Sequence, residues 1–320
     1  SIGMGNAVSS TVDDVNATYW NPAGLINIER DEISLMHSNY FANIANFNYI
    51  SYAKKIDSES AMGFSLIRFG VDDIMDTTQL IDNQGNIDYN RIELFSAADY
   101  AFIFSYAKRN KLLNLNFGVN AKIIRRIIGD FANSWGFGFD LGIQHENKNG
   151  WKFGLMARDI TTTYNSWSFD EDRLNDIQNA LEGENQEIPE KNEISIPKIQ
   201  LGISKEIYLS SDYSMLAAID LFMLFEQTND IISTSFASIN PSLGLEFAYA
   251  ELVYLRLGLG NFQNELQFDS TTELSFQPNF GIGFNLQDIE VNYAFTDIGN
   301  QSAALYSNIF SLKFNLNLLR

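Results

Sequence analysis

Residues able to do chemistry are few in this chain, and they stand apart from one another. The two histidines, His37 and His145, both fall inside candidate strands and share no catalytic spacing with a serine or carboxylate. Cysteine is absent, which removes thiol catalysis, thiolate-ligated zinc and disulfides together. No HExxH, GxSxG or P-loop run occurs. Gly3 and Gly5 have the spacing of a dinucleotide-binding turn, but Val8 stands where a third glycine belongs and no strand precedes them. Asp170, Glu171 and Asp172 offer hard oxygen ligands without the glycine and spacing of a calcium loop, so the run reads as a solvated acidic surface. No catalytic residue, metal or cofactor is expected. The chain reads as a non-enzyme whose chemistry is packing and binding.

The residues that do carry a positional message lie near the N-terminus. Asp13, Asp14, Trp20, Asn21, Pro22 and Gly24 belong to a stretch, 3–27, that does not alternate and is rich in turn formers. Asn-Pro followed by Ala-Gly favours a turn, because proline fixes φ and glycine accepts a left-handed conformation. Such a segment ahead of a run of strands is expected to fold back as a plug. Residues 1–30 are assigned to it, and loosening it at Trp20 or Asn21 is expected to admit small solutes.

Something must surround that plug, and residues 31–320 supply the pattern for it. Period-two alternation runs through most of the length. Leu113, Leu115, Phe117, Val119, Ala121 and Ile123 point one way, and Asn114, Asn116, Gly118, Asn120 and Lys122 the other. Fourteen candidate strands follow, near 31–40, 44–55, 60–70, 95–108, 112–125, 134–145, 150–159, 195–207, 212–223, 241–250, 252–260, 276–286, 288–296 and 308–318. Most are long enough to span a bilayer at a tilt, whereas globular strands are shorter. Tight turns alternate with long loops at 71–94, 160–194, 224–240 and 261–275, the rhythm of an up-and-down barrel. The expectation is an all-β, 14-stranded antiparallel transmembrane β-barrel with an N-terminal plug. Inside it, Gly136, Gly138, Gly142, Gly244, Gly281 and Gly283 leave room for something bulky.

Charge narrows the partners. The formal net charge of −19 disfavours nucleic acid, which needs clustered Lys and Arg. No stretch approaches the roughly 18 apolar residues of a membrane helix. Ser1 opens without a basic stretch and apolar run, so an exported chain is expected to have had its signal peptide removed. Residues 168–193 concentrate nine carboxylates. Within them Leu174, Ile177 and Leu181 recur at helical spacing, a candidate partner-binding helix over the barrel mouth.

The run from Gly3 to Ala7, with Asp13, Asp14 and the sequence from Tyr19 to Leu25, resembles the N-terminal signature of the FadL superfamily of outer-membrane barrels. Within it the chain is similar to the PorV/PorQ group of Bacteroidota, through stretches such as 95–102, 120–124, 135–142, 154–163, 239–246, 277–283 and 306–313. The resemblance implies a fourteen-stranded barrel with an N-terminal hatch in the outer membrane. It also implies an accessory subunit of type IX protein secretion or of another outer-membrane machine. The partners would then be a translocon or barrel-assembly complex, secreted cargo domains and outer-membrane lipid. FadL relatives instead imply transport of hydrophobic small molecules. That alternative calls for an apolar pocket behind the plug and a lateral opening, with Pro197 or Pro278 as the candidate kink.

Overall fold

The computed structural model describes residues 1–40, 44–81, 84–170, 191–266, 271–297 and 306–316. Alternating side chains produce one closed antiparallel sheet. Its fourteen wall strands are β1 (Asp31–Tyr40), β2 (Ala45–Lys55), β3 (Ser60–Asp76), β4 (Glu93–Asn110), β5 (Leu115–Ile128), β6 (Ala132–Glu146) and β7 (Trp151–Arg158), then β8 (Lys198–Tyr208), β9 (Tyr213–Leu224), β10 (Ser238–Tyr249), β11 (Val253–Leu266), β12 (Thr272–Leu286), β13 (Ile289–Asp297) and β14 (Tyr306–Leu316). Each wall strand pairs with its sequence neighbours, and β1 closes the ring on β14 from Asp31 opposite Leu316 to Asn39 opposite Asn308. Closure leaves no unpaired edge, the condition under which strands can cross a bilayer.

The outward face is apolar. Leu35, Ile50, Phe104, Phe137, Phe139, Leu257 and Phe280 are all exposed on it. Aromatic rings gather toward both rims: Trp151 and the tilted pair Tyr213 and Tyr249, ring centres 5.0 Å apart, near the short turns, and Trp135 and Tyr164 toward the long loops. An apolar band between aromatic girdles is the surface of a membrane-spanning barrel. Among the described residues no helix is long and apolar enough to cross a membrane.

Several boundaries differ from the sequence expectation, for one reason. Above the membrane both faces of a hairpin meet water, so alternation fades while backbone pairing continues. β3 runs on to Asp76 through a bulge between Val71 and Ile74, and β4 starts at Glu93, so the loop expected at 71–94 shrinks to 77–92. The loop expected at 261–275 shrinks to 267–271. The one expected at 224–240 holds a two-residue strand, Ile232–Ser233. The one expected at 160–194 holds Thr163–Phe169, paired with β6, and Asn192–Ser195. Leu113 belongs to the turn before β5, not to the strand. The short-long rhythm also has exceptions, since the links 41–44 and 129–131 at the long-loop rim are short.

Residues 1–28 pack within the ring, in the half nearer the short turns, as a 3-10 turn at Ile2–Met4, one helical turn at Ala17–Trp20 and a 3-10 stretch at Pro22–Asn27, while Glu29 and Arg30 are exposed. With the outer face turned to lipid, the packed core is the interface between this segment and the wall. Val15, Ala17, Leu25, Ile26 and Ile28 bury against Ala53, Ala61 and Ala107. Met4, Ala7 and Val8 bury against Ala218, with Trp20 alongside. The small wall residues make room for the large inner ones.

Candidate functional site

The inner segment has little regular structure, so its backbone groups need partners from elsewhere. The wall supplies them with polar side chains at inward positions. Gln144 donates to the carbonyls of Ser9 (3.1 Å) and Val12 (2.9 Å), and Asn120 to that of Thr18 (3.0 Å). Ser242 donates to the Gly5 carbonyl. In return the segment's amides donate to wall carboxylates, Ser9 to Asp220 (2.9 Å) and Val15 to Glu32 (2.8 Å).

Close approach is the second device. Nine wall glycines, one each on β3, β5, β6, β7, β8, β10 and β12 and two on β11, face the segment. A Cβ on Gly258 would lie 2.0 Å from the Gly5 nitrogen, and one on Gly118 2.2 Å from the Ala23 nitrogen. Six of the nine stand opposite one another in register: Gly118 with Gly142, Gly154 with Gly202, Gly244 with Gly258. Of the glycines singled out from the sequence, Gly142, Gly244 and Gly281 meet the segment. Gly136, Gly138 and Gly283 do not; Asn165, Thr163 and Asn292 fill those places.

The six sequence-selected residues of the segment take distinct positions. Asn21 is fully buried, and its Nδ2 donates to the carbonyls of Ser9 (2.7 Å), Ile143 (3.2 Å) and Leu155 (3.3 Å). Its Oδ1 accepts from the Ala23 amide and caps the 3-10 stretch, with Pro22 at the first position. At Gly24 a Cβ would lie 2.1 Å from the Val12 carbonyl oxygen. Trp20 stands edge-on to Tyr19, ring centres 5.0 Å apart. Asp14 is bonded by Lys313 (3.0 Å) and by the Asn16 amide (2.9 Å). Burial pushes its carboxyl up, but Lys313 and Asn16 outweigh that and hold it below the usual range. Asp13 is exposed on the segment's surface, yet its depth in the barrel and then the Asp14 charge push its carboxyl up to about 6. Leu174, Ile177 and Leu181 lie outside the described residues.

Charged groups inside the wall form networks that the sequence does not connect, two of them largely buried. Arg256, Glu246, Glu290, Lys313 and Asp14 make one, tying β10, β11, β13 and β14 to the segment. Lys122, Asp140 and Asp159 make the other, and Asp140 also accepts from Asn120 and from the Asp159 amide. Among the described residues, no group of three or more His, Asp or Glu side chains could hold a metal ion.

Over the segment lies a cavity of about 760 Å³. One side of it is apolar and aromatic: Met36, Phe47, Tyr49 and Ile309 from the wall, with Tyr19 and Trp20 from the segment. The adjoining strands β12 and β13 add Gln277, Asn279 and Thr296, and Asp13, Asp14, Glu290 and Lys313 line the cavity as well. Here the alternation inverts. On β2 and β3 the residues Phe47, Tyr49 and Phe69 turn inward, and Asn48 and Arg68, their register neighbours, turn outward. A reading that sends every apolar face to lipid misses this patch. The available signal was the polar His37 and Asn48 at positions that the alternation would otherwise place on the apolar face.

Among the described residues, the wall is interrupted on the far side, after β7. β7 ends at Arg158, residues 159–162 bulge with positive φ at Asp159 and Thr162, and pairing resumes at Thr163 opposite Ser195. Pro197 lies across from the bulge, where its missing N–H cannot join the ladder. Pro278 shows no such break, since Gln277, Pro278 and Asn279 all hold partners on β11. Arg158 sets its guanidinium over the Tyr19 ring at 4.8 Å, linking the edge of the bulge to the cavity.

No family model matches the sequence. No curated protein matches it either. Solved structures share its fold across nearly the whole chain. The toluene transporter TodX of Pseudomonas putida is 13% identical, with a TM-score of 0.59 over 98% of this chain and 98% of that one. The CymD monoaromatic hydrocarbon channel is 11% identical, with a TM-score of 0.60 over 99% and 96%. A FadL homologue of Pseudomonas aeruginosa is 11% identical, with a TM-score of 0.54 over 97% and 96%. The fold is that of the FadL-type barrels.

Proposed function

We propose that this protein is an outer-membrane channel for hydrophobic small molecules, with residues 1–30 as its plug. The observation that carries the reading is the inverted wall patch. Part of this apolar, aromatic surface packs on Tyr19, and Tyr49 bonds Thr18, but Met36 and Phe47 also border the open cavity, where they are suited to receive an apolar guest. The similarity to a toluene transporter and a monoaromatic hydrocarbon channel supports the same class of cargo. The bulge at 159–162 offers a lateral exit. Irregular backbone at membrane depth persists where it is covered by protein or lines an opening.

The accessory-subunit reading drawn from the PorV/PorQ resemblance rests on that resemblance and on the acidic 168–193 segment. None of the structural similarities supports it, and they favour the transport alternative. The deciding measurement is entry of a monoaromatic hydrocarbon into vesicles with an asymmetric, lipopolysaccharide-bearing bilayer, with and without the reconstituted barrel. We expect entry to accelerate several-fold, and Phe47→Gln to reduce the gain. Entry at the protein-free rate, together with stoichiometric recovery of a secretion or assembly machine from native membranes, overturns the channel and restores the subunit.

A further inference from the structure

The inverted patch has an outer side as well. Outward from it, a single cross-strand row runs His37, Asn48, Arg68, Tyr100, Arg125, Trp135 across β1 to β6, each residue in register with the next. The same row continued the other way, through Phe310, Tyr293, Ile282, Leu255 and Phe247, carries no charge. The backbones of the two arginines stand about 10 Å apart, two strand spacings, toward the long-loop rim.

Snorkelling explains an isolated arginine at a membrane interface, but not this arrangement. His37 and Asn48 are too short to snorkel, and they bond each other at 2.7 Å on the outer face. Both arginines are held in place. Arg68 bonds Asp72 (2.5 Å) and the Tyr100 hydroxyl (3.3 Å). Arg125 bonds Asn133 (2.7 Å) and lies over the Trp135 ring at 4.9 Å. A guanidinium has five N–H donors, so each retains donors for a further acceptor. Directly beside Arg68 the outer wall has a cleft of about 420 Å³, bordered by Leu35, Ile50, Leu66, Phe310 and Leu312. In a chain of net charge −19, Arg68, paired with Asp72 at the edge of an apolar cleft, and Arg125 two strands away on the same lipid-facing wall are complementary to one kind of neighbour.

We propose that this face holds a phosphorylated lipid of the outer leaflet, its phosphates on Arg68 and Arg125 and an acyl chain in the cleft. Planar guanidinium forks match phosphate oxygens, and basic sites beside apolar grooves select anionic lipid headgroups. The inference rests on the outer-membrane reading and is independent of what the lumen carries.

The test offers the purified full chain, in mild detergent, equal amounts of bis-phosphorylated lipid A, its dephosphorylated form and phosphatidylethanolamine. Native mass spectrometry reads the lipid retained, and heat-modifiable gel migration confirms the folded barrel. The expected result is a preference of about tenfold or more for the phosphorylated form. It should vanish in the Arg68→Gln, Arg125→Gln double variant, and Arg68→Lys with Arg125→Lys should restore only part, because an ammonium lacks the fork. Leu66→Trp, which fills the cleft and keeps both cations, should lower retention of every acyl lipid and covers the case in which the double variant does not fold. Equal retention of the three lipids, or an unchanged preference in the folded double variant, overturns the proposal. Hydrocarbon entry is measured on the same variants and should stay at the parent rate, so failure of the lipid site and failure of the channel are read separately.

Discussion

At the scale of single residues, Asn21 does the most with one side chain. It satisfies three carbonyls on two different parts of the wall and the segment, and it caps the turn that follows. Asn21→Leu removes that donor and the cap; the Ser9 carbonyl keeps Gln144, so the cost is about 1–3 kcal/mol for each group that the change leaves dry and unpaired. We expect the segment to loosen while the barrel persists, read as increased single-channel conductance in planar bilayers. Asp13 gives a second prediction, with a sign. Its carboxyl has an ordinary value of 3.8 and stands at about 6 inside the barrel, raised by burial and by Asp14, with Lys152 and Lys313 opposing. A raised carboxylate penalises the seated state once it ionises there. The penalty is absent below about pH 4 and complete above about pH 6, so the segment should seat less firmly as pH rises through that window. Since the chain has no cysteine, a Val12→Cys reporter can follow this by thiol labelling. Asp13→Asn should flatten the dependence, and an unchanged profile would show that another group sets it.

At the scale of elements, the strands act as sockets. The registered pair Gly244 and Gly258 receives Met4 and Gly5, and Gly258→Val should unseat that end of the segment without opening the ladder, because valine suits a strand. The expected signature is a barrel that still migrates as folded while the residue-12 thiol becomes reactive. The break after β7 is the other element with a task. Shortening residues 159–162 so that Arg158 runs straight into Thr163 should restore pairing and lower hydrocarbon entry; entry at the parent rate would place the exit elsewhere.

At the scale of the whole molecule, stability and closure share one interface. The core lies between the segment and the inner wall, so removing residues 1–27 should do two things at once. It should open a large conductance, and it should lower the temperature at which the barrel loses its folded gel mobility. Burial of side chains like Leu25 and Ile26 is worth about 1.5–3 kcal/mol each, which makes the second effect measurable. Leu25→Ala alone should cost about 2–5 kcal/mol, the range for a cavity in a tight core.

The sequence alone determined the class of fold, the strand number and the places of most strands. Period two in a strand is a local property, legible wherever one face meets lipid and the other meets water or protein. It is why β1, β2 and β13 end within about a residue of their expected limits. It also flagged Asn21, Pro22 and Gly24, because turn chemistry is local too. Where both faces are alike the pattern goes silent, and there the structure decided: the hairpin extensions of β3 and β4 above the membrane, and the inverted patch of Phe47, Tyr49 and Phe69. Only closure of the ring could bring Gln144 to Val12, Lys313 to Asp14, or the paired glycines to an irregular chain. Those contacts join residues about a hundred or more positions apart, and no spacing in the sequence encodes them. Alternation made the wall; the interior that gives the wall a use exists only once the ring has closed.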